Sequence, residues 1–542
     1  MDALCPGRLC DPGPARRRHR SHGQRHRPGC ALPVLHPVLT RELLLPAALL
    51  RALARSNGSH DNLAVHSRCH RQPEDRQLHP DQPAPDGRLP SRRLPGPDLC
   101  RGLELAPGGA VKILGILVLG LAALANAQGF TAGEALRARL AAAVPGERIV
   151  VQSGVYEGPF TIEKPVHLLG EAGAILQGDQ QTHIVAVRSP DVEIAGFTLR
   201  GSGRALGRDD AAIHITGARA IIRNNRILDS LHGIYVRRAD DCRIENNTII
   251  GDGAVAESVA DPALSSLKPG EAELCDVESS QDRRGNGIHL WNSRGHVITG
   301  NVIQGTRDGI YFSFADSTLV RHNTIVRVRY GLHYMYSDDN TFEENTFSDN
   351  AAGSALMYSM GIVLRRNCFH ANRSHRAYGI LFQSVDNTVV EGNDIDGGNT
   401  LGFYLENSNA VVVRDNRISR NYVGLRVSDS TSGSTFVENR FSGNVHSVET
   451  TGSNHANQWS VAGRGNYWES AIVLDLNRDG VGDIPHRESD LFGPWRRTFP
   501  AIGLLSAAPG ERLLRFVHSR IALPGIPGTT DPHPLVKAKA TP

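Results

Sequence analysis

Methionine is almost missing from this chain: four in 542 residues, one of them Met1. Aromatic residues make up only 6% while glycine is plentiful, which speaks against a helical bundle and for a turn-rich all-β chain of many short strands. An excess of one charge is lacking as well. Lysine and arginine total 59 against 56 acidic residues, a net +3, without the concentrated basic surplus that a nucleic-acid partner demands. No apolar run reaches the ~20 residues needed to cross a bilayer. Cysteine is sparse where it would matter: five of eight lie before residue 111, leaving Cys242, Cys275 and Cys368, too few for a disulfide framework.

The first 110 residues, dense in Pro, Arg and His ("GPARRRHRSHGQRHRPG"), show neither helical nor strand periodicity and do not read as a folded domain. Lys112, the apolar run 113–124 and Ala125-Asn126-Ala127 follow, the layout of a secretory signal peptide. The economical reading is that translation begins at Val111 and that 1–110 is a mis-called upstream extension. The alternative is a disordered basic extension before an internal membrane anchor. The expected layout is a signal peptide at 111–127, a solenoid over 128–470, and a C-terminal cap and partner-binding tail over 471–542. The exported chain is expected to begin at Gln128, which amino-terminal sequencing reads directly.

From about residue 220 an asparagine followed two positions later by Ile or Phe recurs at Asn225, Asn247, Asn301, Asn323, Asn345, Asn367, Asn393, Asn416 and Asn439, mostly 22 or 23 residues apart. A glycine strand ("HGIYV", "NGIHLW", "DGIYFS", "YGLHYM", "YGILF", "LGFYL", "VGLRV") precedes most of these by 14 residues. A fixed period of this length with period-2 alternation implies a right-handed parallel β-helix solenoid of about 22 residues per coil. The asparagines are expected to bend the backbone into the left-handed region and to bond from coil to coil. No L-x-x-L-x-L pattern supports a leucine-rich horseshoe. A helix from Glu134 to Ala143 is expected to cap the first coil. Insertions enter at one turn, just ahead of the glycine strand. At ~4.8 Å per coil, Cys242 and Cys368 stand roughly 19 Å apart, beyond bonding reach; Cys275 is left to pair with an unassigned partner.

In "GIHLW" the apolar Ile288 and Leu290 face the core, so His289 and Trp291 face outward. One coil at a time, the outward columns are His289, Tyr311, His333, Ala355 and Trp291, Ser313, Met335, Met357. An exposed methionine on that face is hard to explain as packing. Met335, Met357 and Met360 fall in two adjacent coils, and the insertion after Asn367 adds His370 and His375. Thioether and imidazole together suit Cu(I), giving His333, Met335, Met357, Met360 and His289 as candidate copper ligands. Trp291, Tyr311, Tyr336 and Tyr358 are the candidate partner surface. An apolar docking patch without metal is the competing reading, and residue types alone do not separate the two.

Three weaker signals remain. Asp475, Asn477, Asp479 and Asp483 have the spacing of a calcium loop, but His486 stands where that loop wants its bidentate acid; a hydrogen-bonded turn explains them equally. Arg307 and Asp308 in "TRDGIY" could form an active-site pair, but an adjacent Arg-Asp beside a glycine turn is more often a surface ion pair, and His232-Gly233 is a lone dipeptide. "DPHP" near residue 532 lies in the tail, outside the repeats.

At "RGNGIHLWN", "RDGIYFS", "RYGLHYMYS", "ALMYS", "GNYW" and "DLNRDGVGD", residues 111–542 resemble the NosD family of periplasmic maturation proteins for nitrous oxide reductase. The resemblance implies a β-helix that is not itself an enzyme. It implies work with an ABC-type ATPase, a membrane permease and a copper-carrying lipoprotein to build the copper-sulfide centre of the apo-reductase. Residues 1–110 have no counterpart in that pattern, and the insertion 252–284 is longer than expected. The rival is a carbohydrate-active β-helix enzyme, a pectinase-like hydrolase, lyase or epimerase, because one fold hosts many chemistries. It needs clustered acids on the exposed strand face, where these columns offer His, Trp, Tyr and Met. A passive adhesive solenoid would have no such cluster.

Overall fold

The computed structural model describes residues 131–251, 284–374, 377–451, 456–489, 508–520 and 528–538, with a few positions between 492 and 502. The leader, the signal segment, Cys275 and His375 lie outside the described residues. Each coil contributes one short strand to each of three parallel sheets of 12, 13 and 12 strands, the parallel β-solenoid that the 22-residue period predicts. Inward positions stack like on like: Ile222, Ile244, Ile298, Val320 and Phe342 in the first sheet, and Ile249, Ile303, Ile325, Phe347 and Phe369 in the second. These side chains are almost fully buried, each stabilising the stack by ~1.5–3 kcal/mol. They form one continuous apolar interior.

The asparagines run along that interior as a hydrogen-bonded ladder. From Asn225 to Asn439, the backbone N–H of each donates to the Oδ1 of the next at 2.8–3.1 Å. Each side-chain Nδ2 donates to the same oxygen at 2.9–3.1 Å. One detail of the expectation is corrected. The left-handed residue is not the ladder asparagine but the one before it: Asn224, Asn246, His322, Glu344, Arg366, Asp415 and Glu438 have φ between 51° and 57°. The reason is geometric: the asparagine keeps an ordinary backbone so that its amide points inward, and its neighbour turns the corner with its own side chain outside.

Helix α1 (Ala132–Ala142) covers the first coil, as expected. Thr131 and Glu134 form a reciprocal capping box, and Leu136 and Leu140 are buried against the solenoid. At the other end the ladder gains a rung, Asn466, whose N–H donates to Asp531 Oδ2 at 2.7 Å. Trp468 Nε1 donates to the same oxygen at 2.8 Å and the His533 N–H to Oδ1 at 3.0 Å. "DPHP" therefore contains the terminal acceptor of the ladder. The chain returns to it through the antiparallel pair His486–Ser489 and Gly528–Asp531, and Trp459 and Trp468 stack on Phe436 and Phe441 to close the core. Helix α2 (Pro509–Arg520) lies in the same region of the sequence. Cys242 is a buried free thiol; Cys368 is in a disulfide whose partner is outside the described residues.

Removing one rung leaves several buried amide groups without partners. Asn323→Ala is expected to cost ~2–4 kcal/mol in urea unfolding, whereas an unchanged midpoint would mean that the ladder contributes nothing to register.

Candidate functional site

The site is built on the outer face of the third sheet. The strand pairing sets His289 beside Tyr311, Tyr311 beside His333 and His333 beside Ala355, and sets Trp291, Ser313, Met335 and Met357 in the adjacent column. The ring column continues backwards through residues that the sequence reading passed over. His183 stacks on His214 at 4.2 Å between ring centres and His214 on Tyr235 at 5.4 Å, and Tyr235 meets His289 at 4.4 Å with the rings tilted. Tyr311 follows at 4.5 Å and His333 at 4.8 Å. His232, read as a lone dipeptide, meets Tyr235 and His289 edge-on. The signal was present in "AAIHI" and "HGIYV", which alternate as "GIHLW" does; the 252–284 insertion hid that they belong to the same column. Burial pushes His214 down to about 4 and His232 down to about 3, and holds His289 well below the ordinary imidazole value. These rings are neutral at pH 7.

Asp308 anchors the end of the column. It is fully buried, which corrects the expectation of a surface ion pair. Its partner is Arg329, reached one coil on because Asp308 pairs in register with Tyr330. The guanidinium is bidentate, with Nε to Oδ1 and Nη2 to Oδ2 both at 2.8 Å; Arg307 is farther, at 3.7 Å. Burial alone would raise the carboxyl, but the charge of Arg329 and the bond from His333 outweigh it and hold Asp308 well below the usual carboxylate range.

An ionised carboxylate only accepts, so His333 Nδ1, 3.0 Å from Asp308 Oδ2, must carry its proton there. A ring that donates through Nδ1 has Nε2 as its remaining nitrogen, the one a metal uses where a carboxylate holds the other side of a metal-binding histidine. Two positions along, the Met335 sulfur lies 3.9 Å from the Tyr311 hydroxyl. Tyr330 packs against His333 at 5.0 Å between ring centres.

The remaining candidates are placed as follows. Met357 is in register with Met335 but is only 1% exposed. It packs with Ala352, Ala355, Tyr378 and Leu381 in a second apolar cluster against which Met335 also rests, so the expectation of an exposed methionine is corrected here. Met360 is 52% exposed and lies beyond the left-handed bend at Tyr358, away from the His333 column. His289 is two coils from His333 with the Tyr311 ring between them. His370 is on the second sheet, 3.6 Å from Asp396. Trp291 lies beneath Arg237 and Arg238, Tyr311 is half-buried in the column, and Tyr336 and Tyr358 are exposed. The structure thus brings together His333, Met335 and Met357.

Among the described residues no three His, Cys, Asp or Glu stand close enough to hold a metal ion. Met335 and Met357 add thioether sulfur to this face, a donor for soft ions such as Cu(I). In the 475–483 loop, Asp475 and Asp479 accept from the amides of Asp479, Gly480 and Val481, and Asp483 from that of Leu476. The carboxylates serve the turn itself.

Residues 273–471 match the family model described as "Periplasmic copper-binding protein (NosD)". The "Probable ABC transporter binding protein NosD" of Stutzerimonas stutzeri is 35% identical over 71% of this chain and 86% of its own length. That of Pseudomonas aeruginosa is 34% identical over 81% of this chain and 97% of its own length. Among solved structures, the A-module of the mannuronan C-5 epimerase AlgE6 of Azotobacter vinelandii is 14% identical, covering 60% of this chain and 92% of that one, with a TM-score of 0.38. The alginate lyase AlyF-OU02 is 15% identical, covering 57% and 82%, with a TM-score of 0.40. Likeness at that level carries no information about activity.

The neutral column makes stability depend on pH. The folded values of His214 and His232 lie below the unfolded value of 6.5, so the unfolded chain binds more protons as pH falls below it, and stability is lost on acidification. The urea midpoint is expected to drop between pH 7 and 4, and His214→Phe, which keeps a ring in the column, should flatten that slope. A parent midpoint that does not move over this range contradicts the neutral column.

Proposed function

The chain belongs to the NosD family of periplasmic copper-binding proteins, and from that premise we propose that it is an accessory factor which handles copper during assembly of the copper-sulfide centre of nitrous oxide reductase. The observation that carries this is His333: its Nδ1 is hydrogen-bonded to the buried Asp308, and Met335 stands two positions along the same strand. Met357 lies one coil away in the same column, ~4.8 Å along the stack. Cu(I) is the cargo, and the imidazole nitrogen and thioether sulfurs are neutral soft donors suited to it. Arg329 already neutralises Asp308, so the site offers the ion no free counter-charge. Retention then depends on the donor bonds alone, which favours a loose hold and transfer to a partner that completes the coordination.

The partners in this reading are an ABC-type ATPase and its membrane permease, a copper-carrying lipoprotein and the apo-reductase; a signal peptide delivers the chain to the periplasm. A feature of helix α2 supports the permease contact: Leu513, Leu514, Phe516 and Val517 are all exposed, an apolar helical face of the kind that docks on a partner or in a membrane interface. The carbohydrate-active reading requires acids available for proton transfer on the outer strand face. There Asp308 is buried and committed to Arg329 and His333.

Cu(I) titration of the mature protein against a competing chelator tests the reading. Met335→Leu with Met357→Leu keeps volume and apolar character, so the solenoid should stay folded while affinity falls by ~10-fold or more, at least ~1.4 kcal/mol. Under limiting copper, reductase matured with this variant should lack its centre. Wild-type affinity in the double variant would make both methionines packing residues.

A further inference from the structure

Towards the end of the third-sheet strands, one position past the Met335 column, seven successive coils bend through a left-handed residue. Reading along the stack, that position is Arg238, Asn292, Phe314, Tyr336, Tyr358, Ser384 and Asn407, with φ between 46° and 54°. Asparagine and serine are at home there. Phe314, Tyr336 and Tyr358 are not, since bulky side chains rarely adopt this conformation and persist in it only where the surroundings impose it. The three rings are 53%, 45% and 43% exposed. They stack in parallel, Phe314 on Tyr336 at 5.3 Å and 9°, Tyr336 on Tyr358 at 5.1 Å and 13°. Strained rings that remain in solvent bury little apolar surface in return.

Two positions on, the same turn carries a file of carboxylates. Asp316 Oδ1 accepts from the Asp338 N–H at 2.8 Å, and Asp338 Oδ1 from the Met360 N–H at 2.8 Å; Asp339 is next to them and exposed. None of the three forms an ion pair among the described residues. Elsewhere on this solenoid, several rings near the surface are covered by the chain's own guanidinium groups: Trp291 by Arg237 and Arg238, Tyr404 by Arg426, and Tyr467 by Arg440. Among the described residues no guanidinium lies over Phe314 or Tyr336.

We propose that the ladder of Phe314, Tyr336 and Tyr358, with Asp316, Asp338 and Asp339 beside it, is a docking edge for an extended, arginine-bearing segment of a partner protein. Guanidinium groups lie over the rings and pair with the carboxylates, a combination that favours Arg over Lys because the planar group stacks as well as bonds. The edge borders the Met335 column, so a partner held there is next to the copper face. The inference deepens the partner-surface part of the proposed function, yet its test does not depend on copper.

The probe is a capped nonapeptide of alternating Arg and Ala, titrated into the mature protein beside its Lys-for-Arg counterpart. Phe314→Asn, Tyr336→Asn and Tyr358→Asn together give the three coils the turn residue of the coils at Asn292 and Asn407. This variant should be at least as heat-stable as the parent and should bind the Arg peptide tenfold more weakly or worse. Asp316→Asn with Asp338→Asn and Asp339→Asn, which keeps an acceptor oxygen at each site, should weaken it similarly. The Lys peptide should bind the parent several-fold more weakly than the Arg peptide, and Cu(I) affinity should be unchanged in both variants. No binding of the Arg peptide to the parent, equal binding of the two peptides, or Arg-peptide binding unaffected by the ring variant would each overturn the proposal. His333→Ala should retain the Arg peptide, so failure of the copper reading and failure of the docking edge are separate results.

Discussion

The buried asparagine ladder is the interaction on which the rest of the molecule depends. At each of those corners the chain leaves one strand for the next, and the backbone amide of the marker residue has no sheet partner. Buried away from water, an unsatisfied donor of this kind costs as much as a lost hydrogen bond and more. A carboxamide supplies an acceptor to the coil before it and a donor to the coil after it, so each rung satisfies its neighbours only when the coils are aligned. A slip of one residue would turn every side chain to the opposite face. The ladder therefore keeps His333, Met335 and Met357 in adjacent columns, and Asp531 closes it with a carboxylate held in a buried site.

Once register is fixed, side chains on the third sheet become columns with a spacing set by the backbone. Long flexible residues are then held by what lies one coil away. Arg329 reaches Asp308, Asp308 orients His333, and the Tyr311 hydroxyl meets the Met335 sulfur. The preorganisation of the site is thus long-range in sequence but nearest-neighbour in space. The same regularity makes exceptions conspicuous: three aromatic rings occupy left-handed corners where neighbouring coils use Asn or Ser, and a departure from the local rule without packing gain points to function.

Much of this was legible in the sequence because period and alternation are strong signals. The 22-residue spacing, the capping helix before the first coil, and the columns containing His289 and Met357 all follow from counting. The ladder's geometry was legible only in part, since a pattern identifies the bend but not which of two adjacent residues takes the left-handed conformation. Burial of Met357 was not legible: it depends on Tyr378 and Leu381 from the following coil, beyond an insertion that breaks the count. Asp308 looked like half of an adjacent ion pair because Arg307 is next to it. Its true partner appears only when register is applied and Arg329 is seen one coil on. Membership of the ring column by His214 and Tyr235 was obscured in the same way by the 252–284 insertion. Asp531 carried no signal at all, because a tail that folds back on the stack has no period to betray it.

The central claim is that neutral sulfur and imidazole donors on this face hold Cu(I). X-ray absorption at the copper edge of the Cu(I)-loaded mature protein tests it most directly. The account predicts a shell of thioether sulfur with one imidazole, the sulfur scattering lost in the Met335→Leu, Met357→Leu variant and the imidazole scattering lost in His333→Ala. A shell of nitrogen and oxygen alone, or a sulfur shell that survives loss of both methionines, would contradict it.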